Sequence, residues 1–201
     1  LSLNPYSSVE EGQQAIKDYL KEHPDIKQLR GVGWDEIKRD SESRGLAPKE
    51  LLDQIVPDIP AVFIANSHHS ILVNSKALEV AGIDKNTPDP QGGTIERDPT
   101  TGEPTGILHE FSAQNLVINA LPQPDFTVEQ YKETILTWQE IAAEDGITST
   151  FVPVHYPTEN LLKAFEDLDN AGKLTVRYDL GLWADETKGT EQIGRLKELR
   201  D

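Results

Sequence analysis

Five histidines and 35 carboxylates are the groups through which this 201-residue chain could do chemistry. Three of those histidines, His68, His69 and His109, fall between residues 60 and 110, and Glu110 stands directly after the last of them. The pair His68-His69 follows the short apolar run Ala61-Val62-Phe63-Ile64, which reads as a buried strand. An α/β fold places its chemistry just past such strand ends. His155 lies just past a second apolar run, Ile147–Val152, and so on the catalytic rim if the chain builds a barrel. His23, before Pro24, is the C-terminal residue of a helix, where its charge suits the helix dipole.

Each candidate has a plainer reading beside the functional one. His69 is either a substrate-pocket residue or a solvated loop histidine, and His68 is read as loop. Glu110 is either a ligand of metal or substrate or a carboxylate that starts a helix. His155 is either a rim residue or a surface residue. Trp34, Trp138 and Trp183 are read as core. No catalytic residue is assigned.

Several motifs are excluded by spacing. His109-Glu110 is not a zincin motif, because Ala113 stands where the second histidine belongs. Asp167-Leu168-Asp169-Asn170 begins like a calcium loop but fails at Ala171 and at Tyr178, where a bidentate glutamate is needed. Gly31 and Gly33 lack the third glycine of a dinucleotide loop, and neither a nucleophile elbow nor a P-loop occurs. There is no His-x-His pair, and no residue is assigned as a metal ligand. The absence of cysteine removes disulfides, thiolate zinc sites and a cysteine nucleophile.

The elements that must position these residues follow from pattern and punctuation. Overlapping capping boxes at Ser7 and Ser8 open a first helix carrying Val9, Ile16, Tyr19 and Leu20. Ile26–Val32 is expected as a strand, Asp35–Ala47 as a loop, and Pro48–Ile55 as a short helix with proline in its first turn. Asn74 or Ser75 caps a helix over Lys76–Ala81, stopped by Gly82. Thr94–Arg97 and Thr105–Leu108 flank a Gly/Pro-rich turn and predict a hairpin. A helix with Phe111, Ala113, Leu116, Val117 and Ala120 on one face follows, and Leu121–Asp125 is a linker. Thr127 with Gln130 caps a helix bearing Val128, Tyr131, Ile135, Trp138 and Ala142. Strand Ile147–Val152, helix Asn160–Asn170, strand Leu174–Leu182 and helix Thr190–Leu199 then alternate as in a parallel sheet or βα barrel.

The composition sets limits. A net charge of −16 argues against nucleic acid, which needs clustered Lys and Arg. The longest apolar runs fall far short of the ~20 residues of a membrane span, so no membrane partner is expected. No signal peptide is visible, and a cytoplasmic setting is expected over a secreted one. No methionine occurs anywhere, and no stop signal follows the last helix, so the chain reads as a piece of a longer protein. Residues 1–121 form a strand/helix segment with the hairpin, and 122–201 a βα-repeat segment, together one structural domain. Open sheet edges in such a piece imply self-association.

One ordered set of motifs points further. Gly31-Val32-Gly33-Trp34, His69-Ser70, Asn74-Ser75-Lys76-Ala77-Leu78, Ala81-Gly82-Ile83, Gly92-Gly93-Thr94-Ile95-Glu96-Arg97-Asp98, Pro104-Thr105-Gly106-Ile107-Leu108-His109-Glu110 and Gly146-Ile147-Thr148-Ser149 occur in that order. In this the chain resembles amidohydrolase family 3, with its formamide-deformylase-like and exoenzyme-regulatory-type members. His68 departs from the pattern, since the family usually has glycine there. The resemblance implies an α/β fold: a partial (β/α) barrel of the metal-dependent hydrolase type, with a hairpin-bearing insertion at residues 84–110. It implies a parent enzyme that cleaves an amide or formamide C–N bond with a divalent metal, zinc first among the candidates, acting on a small amide-type substrate. His69, Glu110 and His155 are the substrate-binding residues it suggests. The remainder of the barrel would be the chain's partner, and without the metal pair the piece alone is expected to be inactive. The alternative is a non-catalytic binding or regulatory module.

Overall fold

The apolar runs on either side of the histidine pair, Ala61-Val62-Phe63-Ile64 and Ile71-Leu72-Val73, fold as antiparallel neighbours, with the histidines in the turn between them. The structure is a computed structural model, and it describes residues 1–4, 8–34, 41, 43–123, 126–154, 158–182, 184 and 188–200. The expected loop at 35–47 lies partly outside these residues, but Ser41, Ser43 and Arg44 are helical. His155 and Trp183 fall outside them altogether. The chain divides into two units, Leu1–Gln123 and Pro124–Asp201.

In the first unit the strands are β1 (Leu29–Val32), β2 (Ala61–Ile64), β3 (Ser70–Val73), β4 (Thr94–Arg97) and β5 (Pro104–His109). They form one open sheet in the order β1-β2-β3-β5-β4. Only β1 and β2 are parallel; the other neighbours are antiparallel. The fold is therefore mixed α/β with an unclosed sheet. The hairpin expected as an insertion supplies β5, an interior strand that pairs with β3 as well as with β4.

Strand alternation sorts the side chains onto two faces. Leu29, Phe63, Leu72 and Ile107 pack with Val9 and Ile16 of α1 (Val9–Glu22) and with Leu51 and Leu52 of α2 (Pro48–Asp53). Val62, Ile71, Val73, Ile95 and Leu108 pack with Ala77 and Leu78 of α3 (Ser75–Ala81) and with Ala113 and Val117 of α4 (Glu110–Ile118). Trp34 is core, as expected. Phe111 is not: α4 turns Ala113, Gln114 and Val117 inward and leaves Phe111 exposed.

The helix ends follow capping chemistry. Ser8 Oγ accepts from the Glu11 N–H at 3.2 Å, and His23 is the C-cap of α1, its ring against Tyr19. Asn74 caps α3 from within the core, where it is fully buried.

The second unit starts with α5 (Val128–Glu144), opened by the reciprocal Thr127–Gln130 capping box. Strand β6 (Ser149–Val154), helix α6 (Glu159–Asn170) and strand β7 (Arg177–Leu182) form a parallel βαβ unit. A 3-10 turn, Thr190–Gln192, leads into α7 (Ile193–Arg200). Ile135, Ala164, Phe165 and Leu168 make the core, with Trp138 and Phe165 against the ring of Tyr178. Buried Gln139 ties α5 to the segment just before β7: its Oε1 accepts from the Thr175 N–H at 2.8 Å and its Nε2 donates to the Lys173 carbonyl at 3.2 Å.

Candidate functional site

The antiparallel pairing of β3 with β5 sets Ser70 directly opposite His109. The next residues outward are His69 and Glu110, which are therefore neighbours despite the 40 residues of chain between them. The Glu110 N–H donates to the His69 carbonyl at 2.8 Å, and Glu110 Oε2 lies 3.1 Å from His69 Nδ1. Both side chains are exposed, His69 by 66% and Glu110 by 52%, so the pair is open to a ligand from solvent. A carboxylate can only accept, so the hydrogen of this contact sits on Nδ1 of the imidazole. His69 Nε2 is then the ring atom left for another partner.

The turn that carries His69 is held firmly. The Ala65 N–H donates to the Ser70 carbonyl and the His68 N–H to the Ala65 carbonyl, each at 2.9 Å. Gln114, buried one turn into α4, donates from Nε2 to the His68 carbonyl at 3.1 Å. Two residues around the pair adopt left-handed backbone: His68 with φ 61° and Glu110 with φ 64°. Such a conformation strains any residue with a Cβ by about 1–2 kcal/mol. The geometry at position 68 therefore suits the glycine that the resemblance implies there, and His68 holds it under strain. His68→Gly is expected to stabilise the first unit by about 1 kcal/mol. A urea titration checks it, and an unchanged or lower midpoint would count against strain at this turn.

A second polar group runs across three strands beside the first. Ser70 Oγ lies 2.8 Å from His109 Nδ1, and His109 Nε2 lies 3.3 Å from Glu96 Oε2. Thr105 Oγ1 donates to Glu96 Oε1 at 3.0 Å. Sequence spacing sets His109 aside as a zincin residue and does not single out Ser70 or Glu96. The signal for them is alternation: Ser70 stands two before Leu72, and His109 two after Ile107, so both belong on that one face.

Of the expected site residues, the structure thus brings His69 and Glu110 together and says nothing of His155. Among the described residues, no three of His, Cys, Asp and Glu are grouped so as to hold a metal ion. A hydrolytic zinc centre takes three protein ligands, so the residues described here do not fit one. A cavity of ≈ 960 Å³ in the second unit is lined by Leu162, Phe165, Val176 and Tyr178 with Lys163 and Arg177, and by neither His69 nor Glu110.

A model of the amidohydrolase family matches residues 1–199. The Bacillus subtilis protein YtcJ is 33% identical over 98% of this chain and 36% of its own length. The exoenzymes regulatory protein AepA of Pectobacterium carotovorum is 32% identical over 92% of this chain and 40% of its own length. The N-substituted formamide deformylase of Arthrobacter pascens is 35% identical over 57% of this chain and 21% of its own length. Two crystal structures of uncharacterized metal-dependent hydrolases, from Pyrococcus horikoshii and Pyrococcus furiosus, align over 98% of this chain with TM-scores of 0.53 and 0.52. Their sequence identities are 24% and 25%, and the alignments span 34% and 36% of those chains. The chain thus spans little more than a third of the length of the relatives that it matches over most of its own length.

Proposed function

The chain belongs to the amidohydrolase family, and from this membership we propose that it is part of a metal-dependent enzyme that hydrolyses an amide or formamide C–N bond. The similarity to a formamide deformylase supports the bond type, and the likeness to metal-dependent hydrolases supports the class. The observation that carries the reading is Glu110, a strained left-handed glutamate whose carboxylate stands 3.1 Å from His69 Nδ1 just past the end of β5. Glycine would relieve that strain, so a glutamate there is best accounted for by what its carboxylate does. In this reading Glu110 holds the His69 proton on Nδ1, and His69 Nε2 meets the polar group of the substrate. His155 is proposed as a further substrate contact.

The described residues do not fit the metal, so its ligands are assigned to the rest of the longer protein, and the 201-residue chain alone is proposed to be inactive toward amides and formamides. The parallel β6–α6–β7 unit is proposed as one repeat of a (β/α) barrel that the rest of the protein completes. A second reading, a regulatory module without catalysis, is favoured by the similarity to AepA.

The test compares the 201-residue chain with the full-length protein on a panel of N-substituted formamides and simple amides with zinc supplied. Hydrolysis is expected from the full-length protein only. His69→Ala and Glu110→Ala in that protein should each lower kcat/KM by about 10-fold, the scale of one lost hydrogen bond to the substrate. Hydrolysis by the short chain would refute its inactivity, and activity surviving both substitutions would remove the pair from the site. No turnover by the full-length protein on any member of the panel would favour the regulatory reading.

A further inference from the structure

We propose that Ser70, His109 and Glu96 form a second, metal-independent acyl-transfer site that takes activated aryl esters. It shares no residue with the pair His69–Glu110 and does not rest on the function proposed above. The geometry is that of a nucleophile, a base and a group that orients the base. Glu96 Oε2, 3.3 Å from His109 Nε2, can only accept, so the hydrogen of the neutral ring sits on Nε2. That choice of tautomer leaves the Nδ1 lone pair facing Ser70 Oγ at 2.8 Å, and the hydroxyl hydrogen points at it. Thr105 Oγ1, donating to the other oxygen of Glu96, keeps the carboxylate from turning away. The three residues come from three adjacent strands: register sets Ser70 directly opposite His109, and Glu96 sits at the irregularity of pairing between Ile95 and Arg97, within reach of the same ring. His109 and Glu96 keep 36% and 29% of their side-chain surface, so the group is braced by the sheet yet reachable by a small molecule.

The reaction follows from the placement of the proton. Ser70 Oγ forms a bond to the ester carbonyl carbon while its proton passes to His109 Nδ1. The bond from that carbon to the aryl oxygen breaks, and the phenolate leaves with the electron pair. Aryl esters are the class chosen because a phenolate leaves without first being protonated. The protonated His109 ring gives that proton through solvent to the departed phenolate. The free Nδ1 then takes a proton from the water that attacks the acyl carbon and passes it to Ser70 Oγ as the Ser70 ester bond breaks to release the carboxylic acid. The net change is ester and water to acid and phenol.

The 201-residue chain is to be treated with diisopropyl fluorophosphate in the presence of a metal chelator, and the adduct weighed and mapped by peptide mass spectrometry. One adduct per chain on Ser70 is expected. H109Q should slow labelling by about 100-fold, the scale of a general base, with an unchanged circular dichroism spectrum, and S70A should take no label. The unsubstituted chain already decides the matter, whether or not the variants fold. No adduct in the presence of chelator, or an adduct on another residue, overturns the proposal. So does labelling that H109Q does not slow, which would leave the three residues as cross-strand hydrogen bonding alone.

Discussion

Asn74→Ala is expected to cost the first unit about 4 kcal/mol or more, because three buried backbone groups and one half-buried one lose their partner together at about 1–3 kcal/mol each. Asn74 Oδ1 accepts from the Ala61 N–H at 3.0 Å and from the Ala77 N–H at 2.9 Å. Its Nδ2 donates to the carbonyls of Val56, at 2.6 Å, and Ile59, at 2.9 Å. One fully buried amide thus ties the loop after α2, the start of β2 and the first turn of α3. Three of the four bonds are buried, which separates this site from a solvent-exposed N-cap worth about 1 kcal/mol. Urea denaturation followed through the first unit should show the midpoint falling by about 2 M at an ordinary slope of about 2 kcal/mol per M. A loss below about 1 kcal/mol, the worth of the cap alone, would mean that the other bonds contribute nothing.

Gly106→Ala is the second large effect, expected at about 3 kcal/mol or more from backbone strain combined with overpacking. Gly106 has φ 97°, and a Cβ there would stand 2.5 Å from the Val73 carbonyl oxygen and 2.7 Å from Lys49 Cβ. This is where α2 lies against β5, and neither the strand carbonyl nor the helix can retreat without opening the sheet. Gly102→Ala separates the two contributions. It also has positive φ, 76°, but nothing lies within 4 Å of the added carbon, so it should cost about 1 kcal/mol from conformation alone. Equal losses for the two variants, measured by thermal and urea unfolding, would show that close approach at Gly106 does not matter.

Both residues belong to motifs that stand out in the sequence, Asn74-Ser75-Lys76-Ala77-Leu78 and Pro104-Thr105-Gly106, yet their weight was not legible there. Asn74 shows itself as a helix cap because a cap is local chemistry: an Asn before a helical run, with its N–H donor three residues on. The bonds to Val56, Ile59 and Ala61 span 13 to 18 residues and depend on how the loop returns to the core.

What the sequence determines by itself is what short-range physics governs. Capping and stop residues mark α1 at Ser7 or Ser8, α3 at Asn74 or Ser75 and at Gly82, and α5 at Thr127, and the structure selects Ser8 and Asn74. A turn rich in Gly and Pro marks the hairpin of β4 and β5, and strand-helix alternation marks the parallel β6–α6–β7 unit. What only the tertiary structure decides is which strand lies beside which. Strand β3 has four residues against the cap of a helix, too few for a period of two to show. Nothing in the alternation of β5 says that it will sit between β3 and β4 rather than at an edge, because the pattern specifies a buried face and not a neighbour. That choice of neighbour brings Glu110 to His69, and Ser70 and Glu96 to His109. Hydrogen bonding between strands joins residues by register, and register is settled by the packing of two whole faces against α1 and α2 on one side and α3 and α4 on the other.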